Sequence, residues 1–166
     1  MNFMLEEIYS LPKLFQKIVH PLDDAIQQKF SKNFCKSLKR IYLVGCGDSY
    51  YAALSMQLAF RSLSGLSVEA MTSMQFARYT AGFIPHKKAD ENMAIGVSVS
   101  GAVARTAEAL RMGRQNHAFT VALTAAPNSA VGREAEVVIT VPTPPSSNDR
   151  VVPGVRSYFS SQLALV

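Results

Sequence analysis

"YLVGCGDSYYAALSMQLAF", residues Tyr42 to Phe60, begins apolar, breaks at a turn of small residues and resumes at helical spacing. The stretch leading into the break, "RIYLVGC", is short and apolar nearly throughout, which predicts a strand buried on both faces of a sheet. Gly45, Cys46, Gly47, Asp48 and Ser49 then expose backbone and gather polar groups at the strand's end. Tyr50 to Leu63 reads as a helix that Ser64-Gly65 ends.

The same unit recurs downstream. "SVEAM" reads as a second strand and Ser73 to Tyr79 as a short helix, followed by a loop with Gly82 and Pro85. "NMAIGVSV" predicts a third strand, ending at Ser98-Val99-Ser100-Gly101, before a helix from Ala102 to Gln115. "AFTVALT", the helical turn "NSAVGREA" and the strand "EVVITVP" follow; "TPPSSNDRVVPG" is a loop, and Val155 onward turns helical. Strands alternating with helices predict a parallel sheet with right-handed crossovers, a three-layer α/β/α sandwich. Upstream, Leu5, Ile8, Leu11 or Leu14, Phe15 and Ile18 have helical spacing, with Pro12 tolerated early or bending the helix. Pro21 is expected to open a second helix with Leu22, Ala25, Ile26 and Phe30 on one face.

The chain has 166 residues, 48% hydrophobic, enough for one domain with a core of its own. Charged residues make up 17%, below the usual quarter or so, which suggests that part of the surface is covered. The formal net charge is +5, yet the basic residues form no stripe, and no zinc-finger or RNA-binding motif is present. A small anionic ligand fits this balance, and no nucleic-acid partner is expected. Cys35 and Cys46, eleven positions apart, read as reduced thiols of a cytoplasmic protein. No leader sequence and no membrane span are expected. Cysteines and histidines show no metal-ligand spacing, and no cofactor is expected.

In an open parallel sheet, ligands bind at the carboxyl ends of the strands near the point where strand order reverses. Two strand ends here carry suitable chemistry: Gly45 to Ser49, and Ser98 to Gly101. Each precedes a helix N-terminus, whose free N–H groups and partial positive charge suit a phosphate. Serine hydroxyls add donors with little bulk. One such loop is equally well explained as ordinary turn chemistry and helix capping; two on strands one and three favour a ligand. Asp48 repels an anion and is expected as an N-cap or hydroxyl-binding group.

"GCGDSY" also begins like the dinucleotide fingerprint, with Glu69 22 residues after Gly47. Tyr50 stands where the third glycine belongs, and Glu69 falls inside its strand, so this reading ranks behind. Cys46, near a helix start, is expected to line a pocket floor rather than react. Met56, Met71, Met74 and Met112 read as core filling, Tyr50 and Tyr51 as helix packing, and His20, His86 and His117 as isolated.

"VGCGDSYYAA", "VSVSGAVARTAEAL", "VALTAAPNSAVGREAEVVI" and "PGVRSYFSSQLAL" together resemble the sugar isomerase (SIS) family of phosphosugar-binding domains, from about Phe34 to the end. "EEIYSLP" looks like the lead-in to the isomerase half of glucosamine-6-phosphate synthase and its relatives, which include glutaminase-less deglycases and ketose/aldose isomerases. The resemblance implies a five-stranded flavodoxin-like sheet, a homodimer, and a phosphorylated hexose or amino-sugar as ligand. Residues 1–33 become a helical lead-in and 34–166 an SIS domain, the first of two, because the chain stops inside an apolar helical pattern.

The family's small–Gly–Thr/Ser–Ser loop falls on Cys46, Gly47, Asp48 and Ser49. Its Ser–Gln–Ser–Gly–Glu–Thr loop falls on Ser98, Val99, Ser100, Gly101, Ala102 and Val103. The resemblance implies phosphate contacts from Ser49, Ser98, Ser100 and nearby amides, while Val103 replaces a phosphate-binding Thr. Val155 to Ser157 match a sugar-contacting stretch. The family's catalytic Glu, His and Lys lie in a second domain or tail, so no catalytic residue is assigned in this chain. The expected role is sugar-phosphate binding within an aldose/ketose isomerase or fructosamine-6-phosphate deglycase; the alternative is a non-catalytic sensor.

Overall fold

The computed structural model describes residues 3–85, 88, 90–143 and 154–165. His86 and most of the "TPPSSNDRVVPG" segment lie outside the described residues. The sheet is five-stranded and parallel throughout, in the order β2-β1-β3-β4-β5. Its strands are β1 (Arg40–Gly45), β2 (Ser67–Thr72), β3 (Asn92–Val97), β4 (Phe119–Thr124) and β5 (Val137–Thr140). This is the flavodoxin-like order, and it reverses between β1 and β3.

Strand residues alternate between two apolar layers because successive side chains point to opposite faces. Ile41, Leu43, Ile95 and Val121 pack on one face with α1 (Phe3–Lys29), α3 (Asp48–Ser64) and α7 (Val155–Leu163). Tyr42, Val44, Ala94 and Ala122 pack on the other, with α5 (Ala104–Gln115) and α6 (Ala130–Glu134). All six β3 residues are buried, and after Asn92 this central strand is apolar throughout.

One expectation is corrected at the amino end. Pro21 does not open a second helix: α1 runs unbroken from Phe3 to Lys29 through both Pro12 and Pro21. Leu14, Ile18 and Leu22, four apart, are buried on one stripe with Ile26 packed below them, and both prolines are exposed. The continuous buried stripe outweighs the backbone bonds that the prolines delete on the solvent side. A further short helix, α2 (Lys32–Ser37), escapes the periodicity because it is six residues long; Ser31 caps it by accepting from Phe34 N.

The helix expected at Ser73 to Tyr79 is longer than its pattern. α4 (Ser73–Gln75) continues as a π-turn over Phe76–Thr80 and a 3₁₀ turn over Ala81–Phe83. A capping box starts it: Thr72 Oγ1 accepts from Gln75 N, and Gln75 Oε1 accepts from Thr72 N at 3.1 Å. Met74 is 53% exposed there and fills no core, whereas Met71 is buried and Met56 and Met112 pack against the layers.

Candidate functional site

A cavity of about 340 Å³ opens at the carboxyl ends of β1 and β3, where the strand order reverses. Its walls come from three elements: the start of α3, the β3–α5 loop and the first turns of α7. Of the residues expected to bind, Cys46, Asp48 and Ser49 line it from the first loop. Ser98, Val99, Ser100 and Val103 line it from the second, and Ser157 from α7. Gly47 and Val155 do not line it; Val155 turns its N–H to Glu7 instead.

The first loop is shaped by close approach. A Cβ at Gly45 would sit 2.8 Å from the Ser49 carbonyl carbon and the Tyr50 nitrogen, so α3 lies directly against the strand's end. The close helix–strand contact that the dinucleotide fingerprint assigns to its third glycine is thus made one turn earlier. Gly47, not Asp48, is the N-cap, and its carbonyl accepts from Tyr50 N at 3.0 Å. Asp48 is therefore the first helical residue, exposed at the rim, where its charge complements the helix dipole.

The second loop is tied from below. Val99 O accepts from Ala125 N at 3.0 Å and from Thr124 Oγ1 at 3.2 Å, and Gly101 O accepts from Val131 N at 3.0 Å. Gly101 has φ +64, and a Cβ there would collide with Ser129 Oγ, so only glycine fits. Ser100 is exposed, and its Oγ accepts from Ala102 N at 3.3 Å.

Ser98 is 2% exposed, and its Oγ has no hydrogen-bond partner among the described residues. A buried hydroxyl without a partner is costly, and this one lines the cavity between two helix starts. Behind the lining residue Cys46 runs a hydroxyl chain: Thr106 Oγ1 donates to Cys46 Sγ at 3.8 Å and shares a 3.1 Å bond with Ser73 Oγ. Ser157 Oγ donates to Gly154 O at 2.9 Å, and Ser161 Oγ to Ser157 O at 2.9 Å. Among the described lining residues there is no lysine or arginine, so an anion here meets N–H and O–H dipoles, opposed by the Asp48 side chain at the rim.

Sequence reasoning missed Ala52, Gly154, Tyr158 and Ser161, which also line the cavity. Helical spacing was the available signal: Ala52 follows Asp48 by one turn, and Ser161 follows Ser157 likewise. Tyr50 and Tyr51 pack on each other, ring centroids 5.2 Å apart, and neither lines the cavity. Glu69 is exposed in mid-β2 opposite Tyr42. A larger cavity, about 460 Å³, lies on the α1 and α3 face, but Ile26, Phe30, Ile41, Ile95 and Val121 make it apolar.

Two ionisations are clearly displaced among the described residues, and both lie away from this site. Burial raises the Tyr42 phenol above its usual range. The hydrogen bond from Arg105 lowers the Glu108 carboxyl, helped by the charge of Arg78. The α5 face of Arg105, Glu108 and Arg111 is a solvated one, with Arg111 and Arg114 paired to Glu134. Among the described residues no group of His, Cys, Asp and Glu side chains is placed to hold a metal, and no helix is long and apolar enough to cross a membrane.

A parallel sheet in this order, with two serine-bearing loops converging on one cavity at its reversal point, is the architecture of a sugar isomerase domain. The SIS domain family profile matches residues 36–166, and the chain belongs to that family. The glutamine–fructose-6-phosphate aminotransferase (isomerizing) of Aquifex aeolicus is 32% identical over 138 residues, covering 81% of this chain and 22% of the relative. Among solved structures, the C-terminal domain of glucosamine-fructose-6-phosphate aminotransferase from Francisella tularensis superposes with TM-score 0.72 at 20% identity, over 98% of this chain and 45% of that one. The tagatose-6-phosphate ketose/aldose isomerase of Escherichia coli gives TM-score 0.75 at 16% identity, over 97% and 45%. The chain thus spans about a fifth of that curated relative and under half of each of these solved chains.

Proposed function

We propose that this chain binds a phosphorylated sugar or amino-sugar, with the phosphate seated between the β1–α3 and β3–α5 loops. The observation that carries the reading is the buried Ser98 hydroxyl, without a partner among the described residues, in a cavity where two helix N-termini converge. Ser49 and Ser100 flank it, and Ser157 offers a hydroxyl from the opposite wall. All three relatives named above carry a phosphorylated sugar in their names, which supports the same ligand class.

In this reading residues 34–166 are the N-terminal SIS half, and 1–33 the lead-in, of a homodimeric aldose/ketose isomerase or fructosamine-6-phosphate deglycase-like protein. A second SIS domain would supply the proton-transfer groups. Exposed apolar side chains on α3, Tyr51, Leu58 and Leu63, support a subunit or domain contact. The free thiols of Cys35 and Cys46 support a reducing, cytoplasmic setting. A sensor role is the second reading, favoured by Val103 in place of a hydroxyl and by the lack of His, Lys or Glu among the described lining residues.

Calorimetry with fructose 6-phosphate and fructose tests the core claim. The phosphorylated sugar should bind and raise the melting temperature, and plain fructose should do neither. Ser49→Ala with Ser100→Ala should weaken binding about tenfold or more. Equal shifts with both sugars, or unchanged affinity in the double variant, would remove the anion site.

A further inference from the structure

The α7 wall starts at Gly154, which sits at φ +66 and has no side chain to cap the helix. The first amides of a helix lack acceptors within it, and a carboxylate placed there satisfies one and complements the dipole. That carboxylate comes from the other end of the chain. Val155 N–H donates to Glu7 Oε2 at 2.9 Å, across 148 positions of sequence.

Glu7 is 4% exposed and lies on the buried stripe of α1 that continues through Leu14, Ile18 and Leu22. An acidic residue on such a stripe is expensive unless its oxygens are hydrogen-bonded. The stripe is therefore broken by an acidic side chain where α1 meets the beginning of α7. From that start, α7 carries Ser157, Tyr158 and Ser161 into the cavity at one-turn spacing.

We infer that Glu7 is a positioning residue: by holding the Val155 amide it fixes the first turn of α7, and so places the hydroxyl wall of the cavity. Its effect on ligand binding rests on the sugar-phosphate reading; its effect on α7 does not. The acceptor matters more than the charge, so the amide oxygen of Glu7→Gln should replace the carboxylate.

The full chain and its Glu7→Gln and Glu7→Ala variants are compared by amide hydrogen exchange and by calorimetry with fructose 6-phosphate. Glu7→Asp, one methylene shorter, replaces the alanine variant should that one fail to fold. Exchange at Val155 through Tyr158 should quicken about tenfold in Glu7→Ala, affinity should fall about fivefold or more, and Glu7→Gln should restore both to near the parent value. Unchanged exchange at Val155 would overturn the inference. So would faster exchange with unchanged affinity, which describes a stabilising contact without a positioning role. If the parent chain binds no sugar phosphate, the reading of the cavity falls, and the exchange comparison alone decides for or against Glu7.

Discussion

The two loops that face each other across the cavity do the same job by different means. The β1–α3 loop relies on proximity: Gly45 lets α3 lie against the strand, and the Gly47 carbonyl accepts from Tyr50 and Tyr51 at the helix start. The β3–α5 loop is tied to the rest of the fold through Val99 and Gly101, which bond to Thr124, Ala125 and Val131. A loop held by its own strand and helix tolerates side-chain variation; one held by three neighbours transmits it. The second loop also holds the buried Ser98 hydroxyl, so position and chemistry are invested on the same side.

The comparison breaks first at Gly101. Gly101→Ala forces a side chain into left-handed backbone and against Ser129, which should cost about 3 kcal/mol and lower the melting temperature by roughly 6–12 °C. A loss under about 1 kcal/mol would mean that this loop is no more constrained than its neighbour. Gly45→Ala should cost less, about 2 kcal/mol, because its added methyl meets the α3 backbone at 2.8 Å but its own backbone is not left-handed; chemical denaturation of both variants gives the order.

Ser98→Ala separates stability from binding. The hydroxyl has no partner among the described residues, so stability should be unchanged or slightly higher, while fructose 6-phosphate affinity should drop about tenfold. A destabilised variant with normal affinity would make Ser98 a structural residue. Val103→Thr should act in the opposite direction, tightening binding by about threefold; because Val103 is the uncapped N-cap of α5, the new hydroxyl should also raise stability slightly.

The smallest effect lies outside both loops, on the α5 face. The Glu108 carboxyl is lowered by Arg105 and Arg78, so its folded value lies below its unfolded one of about 4.3. Its contribution is present above that unfolded value and lost as pH falls through the folded one. The melting-temperature difference between the parent and Glu108→Gln should therefore be small at neutral pH and shrink further on acidification. A difference that grows on acidification would reverse the assigned direction.

Much of the site was legible because its signals are local. A buried apolar strand followed by small residues and an amphipathic helix identifies a strand tip, and two such tips identify the reversal point of the sheet. The element boundaries were legible to within a few residues for the same reason. Asp48 was misplaced by one position because capping depends on the dihedral angles of Gly47, which composition does not encode. Pro21 misled because a proline's local penalty is visible in sequence, whereas the burial of Leu14, Ile18 and Leu22 against a sheet is not.

By itself the sequence determined the alternation of strand and helix, the parallel class of the sheet and the two serine-rich tips, since each follows from residue spacing within one element. Tertiary structure alone decided that Ser98 has no partner among the described residues, that Gly101 is locked by Ser129, and that Glu7 meets Val155. Those are contacts between distant segments, and only the packed chain, with its water excluded, assigns each polar atom a partner or leaves it without one.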